Sequence, residues 1–435
     1  MITRRTLSRR EFLGKATAAG AALAFPALVP GSARGANGSV APSNRIAMGA
    51  LGIGWQGSYN LMDFLSKPEV QVVAVCDIDE NHLEAARRRV NETYGNEDCA
   101  TYRDFRQLLG RGDLDAVSLA LPDHWHAIPA IEAARAGLDI YSEKPLSYSL
   151  LEGRAICNAV KRYGRIWQTG SWQRSRENFH YACQLVRNGR IGKVRYVEVG
   201  LPQGHYDFAG TAGQETPGAP PPTLDYDVWL GPAPVAPYCP ARVHKNWRWN
   251  LDYGGGQLLD WVGHHLDIAH WALDLEFTGP VEIQGTGRCS ATGIWNTPTD
   301  YEVLCKYAHG LEILLGSDLP GGVKWYGQTG WIHVNRGLID AVPKSLLREV
   351  IGPDEIQLHK SRDHVQDFLR GVRHRQATIA PCEVAHRSAS VGHLALISIL
   401  TGRRIQWDPE KEEILNDPGA TLYLSRAYRE PWHLP

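Results

Sequence analysis

Between residues 46 and 170 the apolar positions come in short unbroken runs separated by longer amphipathic stretches. Ile46–Leu51, Val70–Cys76, Ala116–Ala120, Leu138–Ser142 and Arg165–Gly170 read as strands. Ser58–Ser66, Glu80–Tyr94, Asp104–Leu109, Ala127–Ala136 and Leu150–Tyr163, lying between them, carry apolar residues at helical spacing. Runs without polar alternation suit strands covered on both faces, and alternating β and α units predict a doubly wound parallel sheet. Further along, Val194–Leu201, Val281–Arg288, Tyr301–Tyr307, Leu311–Ser317 and Trp331–Asn335 have period-two character, which predicts a large, mostly antiparallel open sheet. Residues 202–240, with GTAGQETPGAPPPT and GPAPVAP, read as a long surface excursion. Helical patterns return at Ser361–Arg373 and Cys382–Thr401. The expected organisation is α/β: a segment over 1–40, a parallel-sheet domain over 41–165, and an α+β domain over 166–435 whose last helices can pack back on the first.

The first turn of that pattern carries chemistry. Gly52-x-Gly54-x-x-Gly57 follows the first strand directly, and Asp77 closes the second. Glycines permit a tight turn and close backbone approach to a pyrophosphate, and the next helix supplies amide donors at its positive end. An acid at the second strand end accepts hydrogen bonds from an adenosine ribose and repels a 2′-phosphate. The segment therefore predicts a Rossmann domain that binds NAD in preference to NADP, with Gly52, Gly54, Trp55, Gln56, Gly57 and Asp77 at the cofactor.

Ahead of it, Ser8-Arg9-Arg10-Glu11-Phe12-Leu13 precedes an Ala-rich apolar run from Ala16 to Val29 and the small-residue segment GSARGANG. A paired-arginine start, a short apolar core and a small-residue end predict a twin-arginine export signal and a periplasmic or otherwise exported protein. The run is too short for a stable membrane span. That route carries folded proteins, so an exported protein using this cofactor must load it in the cytoplasm and hold it tightly. A net charge of −1 gives no argument for nucleic acid or an anionic membrane surface. Eight scattered cysteines without a CxxC pair read as buried free thiols.

Two constellations remain. Glu143-Lys144-Pro145 stands just past a strand end, where ligands bind in parallel sheets; read alone, Lys144 fits a solvated loop charge as well as a substrate contact. Gly254-Gly255-Gly256 opens a helical stretch with Asp260 and His264 at i and i+4, on one face, an arrangement that tunes an imidazole for proton transfer. The rival is a metal site from Asp260, His264, His265, Asp267 and His270. Adjacent histidines point about 100° apart on a helix, which disfavours one shared ion, and no metal is expected.

With these pieces in order, the chain resembles the glucose–fructose oxidoreductase, inositol dehydrogenase and rhizopine-catabolism (Gfo/Idh/MocA) family. The resemblance rests on the glycine loop, Leu121-Pro122-Asp123-His124-Trp125-His126, Glu143-Lys144-Pro145, Gly189-Arg190-Ile191-Gly192-Lys193-Val194 and GGG-x-x-x-Asp260-x-x-x-His264. It implies bound NAD or NADP, a sugar, polyol or derivative as substrate, and an open sheet used for homo-oligomer contacts. It implies that Lys144, Asp260 and His264 are catalytic, and that Pro122, His124, His126, Glu143 and Lys144 lie near the cofactor. The chain departs from glucose–fructose oxidoreductases in carrying His264 where they carry tyrosine. Some relatives are NAD-dependent glycosidases that oxidise a hydroxyl, eliminate the aglycone, add water and return the hydride, an alternative that suits a captive cofactor. A carbohydrate-binding protein on a retired dehydrogenase fold is the third possibility.

Overall fold

The computed structural model describes residues 40–41 and 44–435. The export signal expected over 1–40 lies outside the described residues except for Val40. From Ile46 onward the chain alternates as the apolar pattern requires: β1 (Ile46–Leu51), α1 (Trp55–Leu65), β2 (Val70–Cys76), α2 (Glu80–Tyr94), β3 (Ala100–Tyr102), α3 (Phe105–Leu109), β4 (Ala116–Leu119), α4 (Ala127–Arg135), β5 (Asp139–Ser142), α5 (Leu150–Arg162) and β6 (Trp167–Thr169). These six strands are all parallel, in the order β3-β2-β1-β4-β5-β6. Both faces are covered, which is why the strands read as unbroken apolar runs. Val117, Leu119 and Ile140 pack on one side with Ala130 and Ile156. Met48, Val72 and Ala116 pack on the other with Phe64 and Leu83.

Past β6 come α6 (Glu177–Arg187), β7 (Tyr196–Gly200), α7 (Tyr226–Leu230), α8 (Gly256–Trp261) and α9 (Asp267–Leu273). Strands β8 (Glu282–Cys289), β9 (Pro298–Lys306), β10 (Glu312–Gly316), β11 (Gly322–Tyr326), β12 (Trp331–Asn335) and β13 (Leu338–Val342) follow. The chain closes with α10 (His364–His374), α11 (Cys382–Thr401), β14 (Ile405–Asp408), β15 (Glu413–Ile414) and α12 (Pro418–Thr421). The second sheet has nine strands in the order β13-β12-β11-β7-β10-β9-β8-β14-β15, antiparallel except where β7 meets β10. Its inner face, with Ile283, Val303, Ile313, Val323 and Ile332, packs on Leu258, Leu266, Ile268 and Leu394 from the helices. Polar residues such as Glu198, Glu302, Lys324 and His333 take the alternate positions, at least partly exposed. Helix α10 crosses back to the first sheet, where Val365, Phe368 and Leu369 join the packing around Met48 and Val72.

Helices α6, α7 and α12 and strands β3, β11, β13, β14 and β15 are not among the elements expected from the sequence. Of the excursion expected over 202–240, residues 202–223 hold no helix or strand, but α7 lies within it, and Leu224, Trp229, Leu230 and Ala233 bury themselves with Trp247 and Tyr253. The excursion thus carries a small core of its own. Seven of the eight cysteines are buried and all are free thiols. No helix among the described residues is long and apolar enough to cross a membrane.

Candidate functional site

A cleft of about 720 Å³ runs from the glycine loop after β1, past the ends of β4 and β5, to α8. It opens at the carboxyl ends of the parallel strands, beside the point between β1 and β4 where strand order reverses.

At one end the local sequence sets the shape. Gly52 has φ +73°, and a Cβ there would fall 2.5 Å from the Ala120 carbonyl oxygen. A Cβ on Gly57 would fall 1.8 Å from the Gly52 oxygen, so neither position admits a side chain without moving backbone. Helix α1 begins after Gly54 with no side-chain cap and no acid in its first turn. Its first amides have no intrahelical acceptor, and Gly54, Trp55 and Gln56 line the cleft. Asp77 Oδ2 accepts from Ile53 N at 2.7 Å and Oδ1 from Asp79 N at 2.9 Å, which holds the carboxylate against the loop. An uncapped helix start facing a cavity, with a fixed acid at the next strand end, fits a dinucleotide: the amides suit its phosphates and Asp77 its ribose.

The loop after β4 behaves differently from expectation. Pro122 lines the cleft, but His124 and His126 do not. His124 Nε2 lies 3.0 Å from the Trp229 carbonyl oxygen. The His126 ring is held between the Pro145 and Leu121 carbonyl oxygens, at 2.7 and 2.8 Å. Burial lowers both imidazoles, that of His124 to about 3. Both rings brace the strand-end loops from behind.

At the far end, side chains arrive from distant segments. Glu143 is buried and accepts from Asn60 Nδ2 at 3.0 Å. Lys144 Nζ donates to Asp260 Oδ1 at 2.9 Å, with Arg248 Nε 3.5 Å from the same oxygen. Burial raises the Asp260 carboxyl, yet Lys144 and Arg248 together hold it below the ordinary carboxylate range.

The expected pairing of Asp260 with His264 is corrected here. Val262–Leu266 is a π-helical turn between α8 and α9, and the wider turn takes i and i+4 off a common face. Carbonyls of this turn find side-chain donors: Ser171 Oγ donates to the Gly263 oxygen at 2.7 Å, and Gln173 Nε2 reaches the His264 oxygen at 3.5 Å. Asp260 therefore faces Lys144. His264 enters the cleft separately, with Trp172 and Trp261 edge-on at 6.0 and 5.4 Å and its Nδ1 without a hydrogen bond. Burial, then the charges of Lys144 and Arg336, hold its imidazole well below the ordinary value. Gly263 lets the two elements close, since a Cβ there would sit 3.1 Å from Lys144 Cβ. A neutral imidazole beside a fixed ammonium can take a proton from a hydroxyl while the ammonium steadies the oxygen left behind.

The rival metal constellation is not assembled. His265 Nδ1 lies 2.8 Å from the Gly200 oxygen, Asp267 is bound by Arg174, and His270 Nε2 lies 2.6 Å from Tyr307 Oη. Among the described residues, three potential ligands converge instead at Asp79, His82 and His244, beside Asp77, and there Asp79 also caps α2. Sequence reading missed His244, Lys245 and Arg248, which line the cleft, and Trp172, Trp261 and Arg336 at its far end. The aromatic–cation run Asn246-Trp247-Arg248-Trp249 was the one local signal for any of these.

Comparison with known proteins agrees with this architecture. Residues 46–171 match the Gfo/Idh/MocA model described as oxidoreductase family, NAD-binding Rossmann fold, and residues 171–434 match that of the oxidoreductase family C-terminal alpha/beta domain. A glycosyl hydrolase family 109 protein of Saccharopolyspora erythraea is 33% identical over 43% of this chain and 44% of its own. Inositol 2-dehydrogenase of Salmonella typhimurium is 28% identical over 42% of this chain and 53% of its own. The chain thus spans about half, or less, of the length of the curated relatives it matches. The WlbA dehydrogenase of Bordetella pertussis, solved in complex with NADH and UDP-GlcNAcA, superposes with a TM-score of 0.63 at 18% identity, over 84% of this chain and 99% of that one.

Proposed function

The chain belongs to the Gfo/Idh/MocA oxidoreductase family, and from that premise we propose that it oxidises a carbinol of a sugar, polyol or sugar derivative with NAD held tightly in the cleft. What supports this reading is the continuity of one cleft from the uncapped glycine loop to Lys144, Asp260 and His264. The bound nicotinamide supplies a hydride acceptor. Amides of the glycine loop and α1 would hold the pyrophosphate, Asp77 the ribose, and Pro122, Glu143 and Lys144 the nicotinamide end. In this reading His264 accepts the hydroxyl proton, Lys144 stabilises the developing alkoxide, and Asp260 holds the ammonium in place. Asp77 favours NAD over NADP by repelling a 2′-phosphate.

The reading extends to the whole protein as twin-arginine export to the periplasm, supported by Arg9, Arg10 and the apolar run that follows. It includes a homo-oligomer formed through the nine-stranded sheet. A second reading, a glycosidase that oxidises and re-reduces its sugar with the same hydride, is favoured by the likeness to family 109 glycosyl hydrolases. One experiment addresses both. The purified protein is denatured and its released nucleotide identified, and the intact protein is screened with free sugars and glycosides for oxidation and for bond cleavage separately. Co-purified NAD with sugar-dependent reduction is expected. Cleavage without accumulation of reduced nucleotide would select the glycosidase, and protein that neither carries nor takes up nucleotide would sink both.

A further inference from the structure

Most arginines from residue 166 onward are matched with carboxylates. Arg174 binds Asp267 and Glu276, Arg187 binds Asp274 and Glu276, and Arg190 binds Glu349 and Glu355. Arg336, in the turn between β12 and β13, is an exception. Among the described residues it has no ion pair, although it lines the cleft together with His264 and Lys144. It is nevertheless held in place. Its guanidinium stacks 4.5 Å from the Trp172 ring and 4.5 Å from the Trp261 ring, and Nε donates to Gln173 Oε1 at 3.1 Å. Gln173 is itself buried, so the anchor is rigid. Arg176 also stands against Trp172, 4.9 Å from the ring and likewise without an ion pair among the described residues.

A cation stacked between two indoles and left without a counter-ion beside the reacting groups is a receptor for an anion. The charge of Asp260 attracts the Arg336 guanidinium, but the two form no ion pair. Asp260 is already shared by Lys144 and Arg248, and burial holds Asp123 well above the ordinary carboxylate range. The cofactor's phosphates are expected at the opposite end, on the glycine loop. The same indoles offer apolar faces of the kind that sugar rings stack on.

We propose that Arg336 sets substrate specificity by receiving an anionic substituent, a carboxylate or a phosphate, on the sugar whose hydroxyl meets His264. This rests on the oxidoreductase reading above and narrows its substrate class from sugars, polyols and their derivatives to acidic sugars.

The test uses the full chain with its nucleotide. Hexoses of the gluco, galacto and manno series, their uronic acids and their 6-phosphates are titrated by tryptophan fluorescence, and each is assayed for reduction of the bound nicotinamide. At least one acid or phosphate is expected to bind about 10- to 100-fold more tightly than its parent sugar, as a charge-assisted hydrogen bond implies. The uronate and phosphate arms identify which anion fits. In Arg336→Met that preference should collapse, chiefly through KM, and Arg336→Lys should restore part of it. Neutral hexoses binding as tightly as every acid, or a preference that survives in Arg336→Met, would overturn the assignment. Turnover best on a neutral sugar would overturn it while leaving the oxidoreductase reading intact. Arg336-dependent anion binding with no nicotinamide reduction by any sugar would keep the assignment and remove that reading.

Discussion

The two ends of the cleft are built by different means. The end proposed to take the nucleotide centres on one stretch, Leu51 to Asp79, in which turn, helix start and acid follow each other along the chain. Its reacting end collects Lys144 from the end of β5, Arg248 from the segment before α8, His264 from a π-helical turn and Arg336 from a hairpin of the second sheet. Contiguous sites are specified by backbone geometry, where glycine positions decide. Assembled sites are specified by charge and packing, so their residues can each be changed while the fold around them stands.

Loss of chemistry at the assembled end should give the largest effect. His264→Ala or Lys144→Ala is expected to lower turnover by about 10²–10⁴-fold, with nucleotide content unchanged in the His264 variant. Stopped-flow reduction of bound nicotinamide together with nucleotide analysis checks this, and normal turnover in both variants would remove the division of roles. Gly57→Ala should do the reverse. Its Cβ has no room against the Gly52 oxygen, so nucleotide retained on purification should fall by about tenfold or more, each tenfold being about 1.4 kcal/mol of binding. Full occupancy in that variant would mean the glycine loop is not the binding element.

Protonation separates the ends further. His264 is held well below the ordinary value of 6.5 by burial first and then by Lys144 and Arg336. It should stay neutral, and competent to accept a proton, across the range where an exposed imidazole charges. The acid limb of kcat/KM is therefore expected well below pH 6.5, and a limb centred there would contradict the buried setting. Stability follows the same sign. His265 and His270, lowered by burial to about 4 and about 3, stay neutral in the fold while the unfolded chain takes up protons below 6.5. The stability they contribute is complete above 6.5 and is lost as pH falls toward those values, by about 1.4 kcal/mol per histidine per pH unit. Thermal melting between pH 7 and pH 4.5 measures it, and a flat melting temperature would count against their burial.

Smallest in effect is Asp77→Ser. Removing the carboxylate that flanks the loop should raise affinity for NADP relative to NAD by about tenfold, on the scale of one charge–charge term near a surface. Titration of the nucleotide-stripped protein with both cofactors reads that ratio. An unchanged ratio would place ribose selection elsewhere.

Much of this molecule was legible in the chain. Unbroken apolar runs gave away doubly covered strands, period-two runs gave away a sheet with one polar face, and Gly52, Gly54, Gly57 and Asp77 announced a nucleotide loop, because short-range sterics act on neighbours in sequence. Strands such as β3 and β15 escaped notice since three or two residues carry too little pattern. The tertiary structure alone decided that Asp260 turns to Lys144 and away from His264, that His124 and His126 brace loops from behind, and that Arg336 stands unpaired between Trp172 and Trp261. A π-helical turn and contacts between segments far apart in the chain bring those groups together, and charges that meet across more than a hundred residues leave no periodic trace in the order of amino acids.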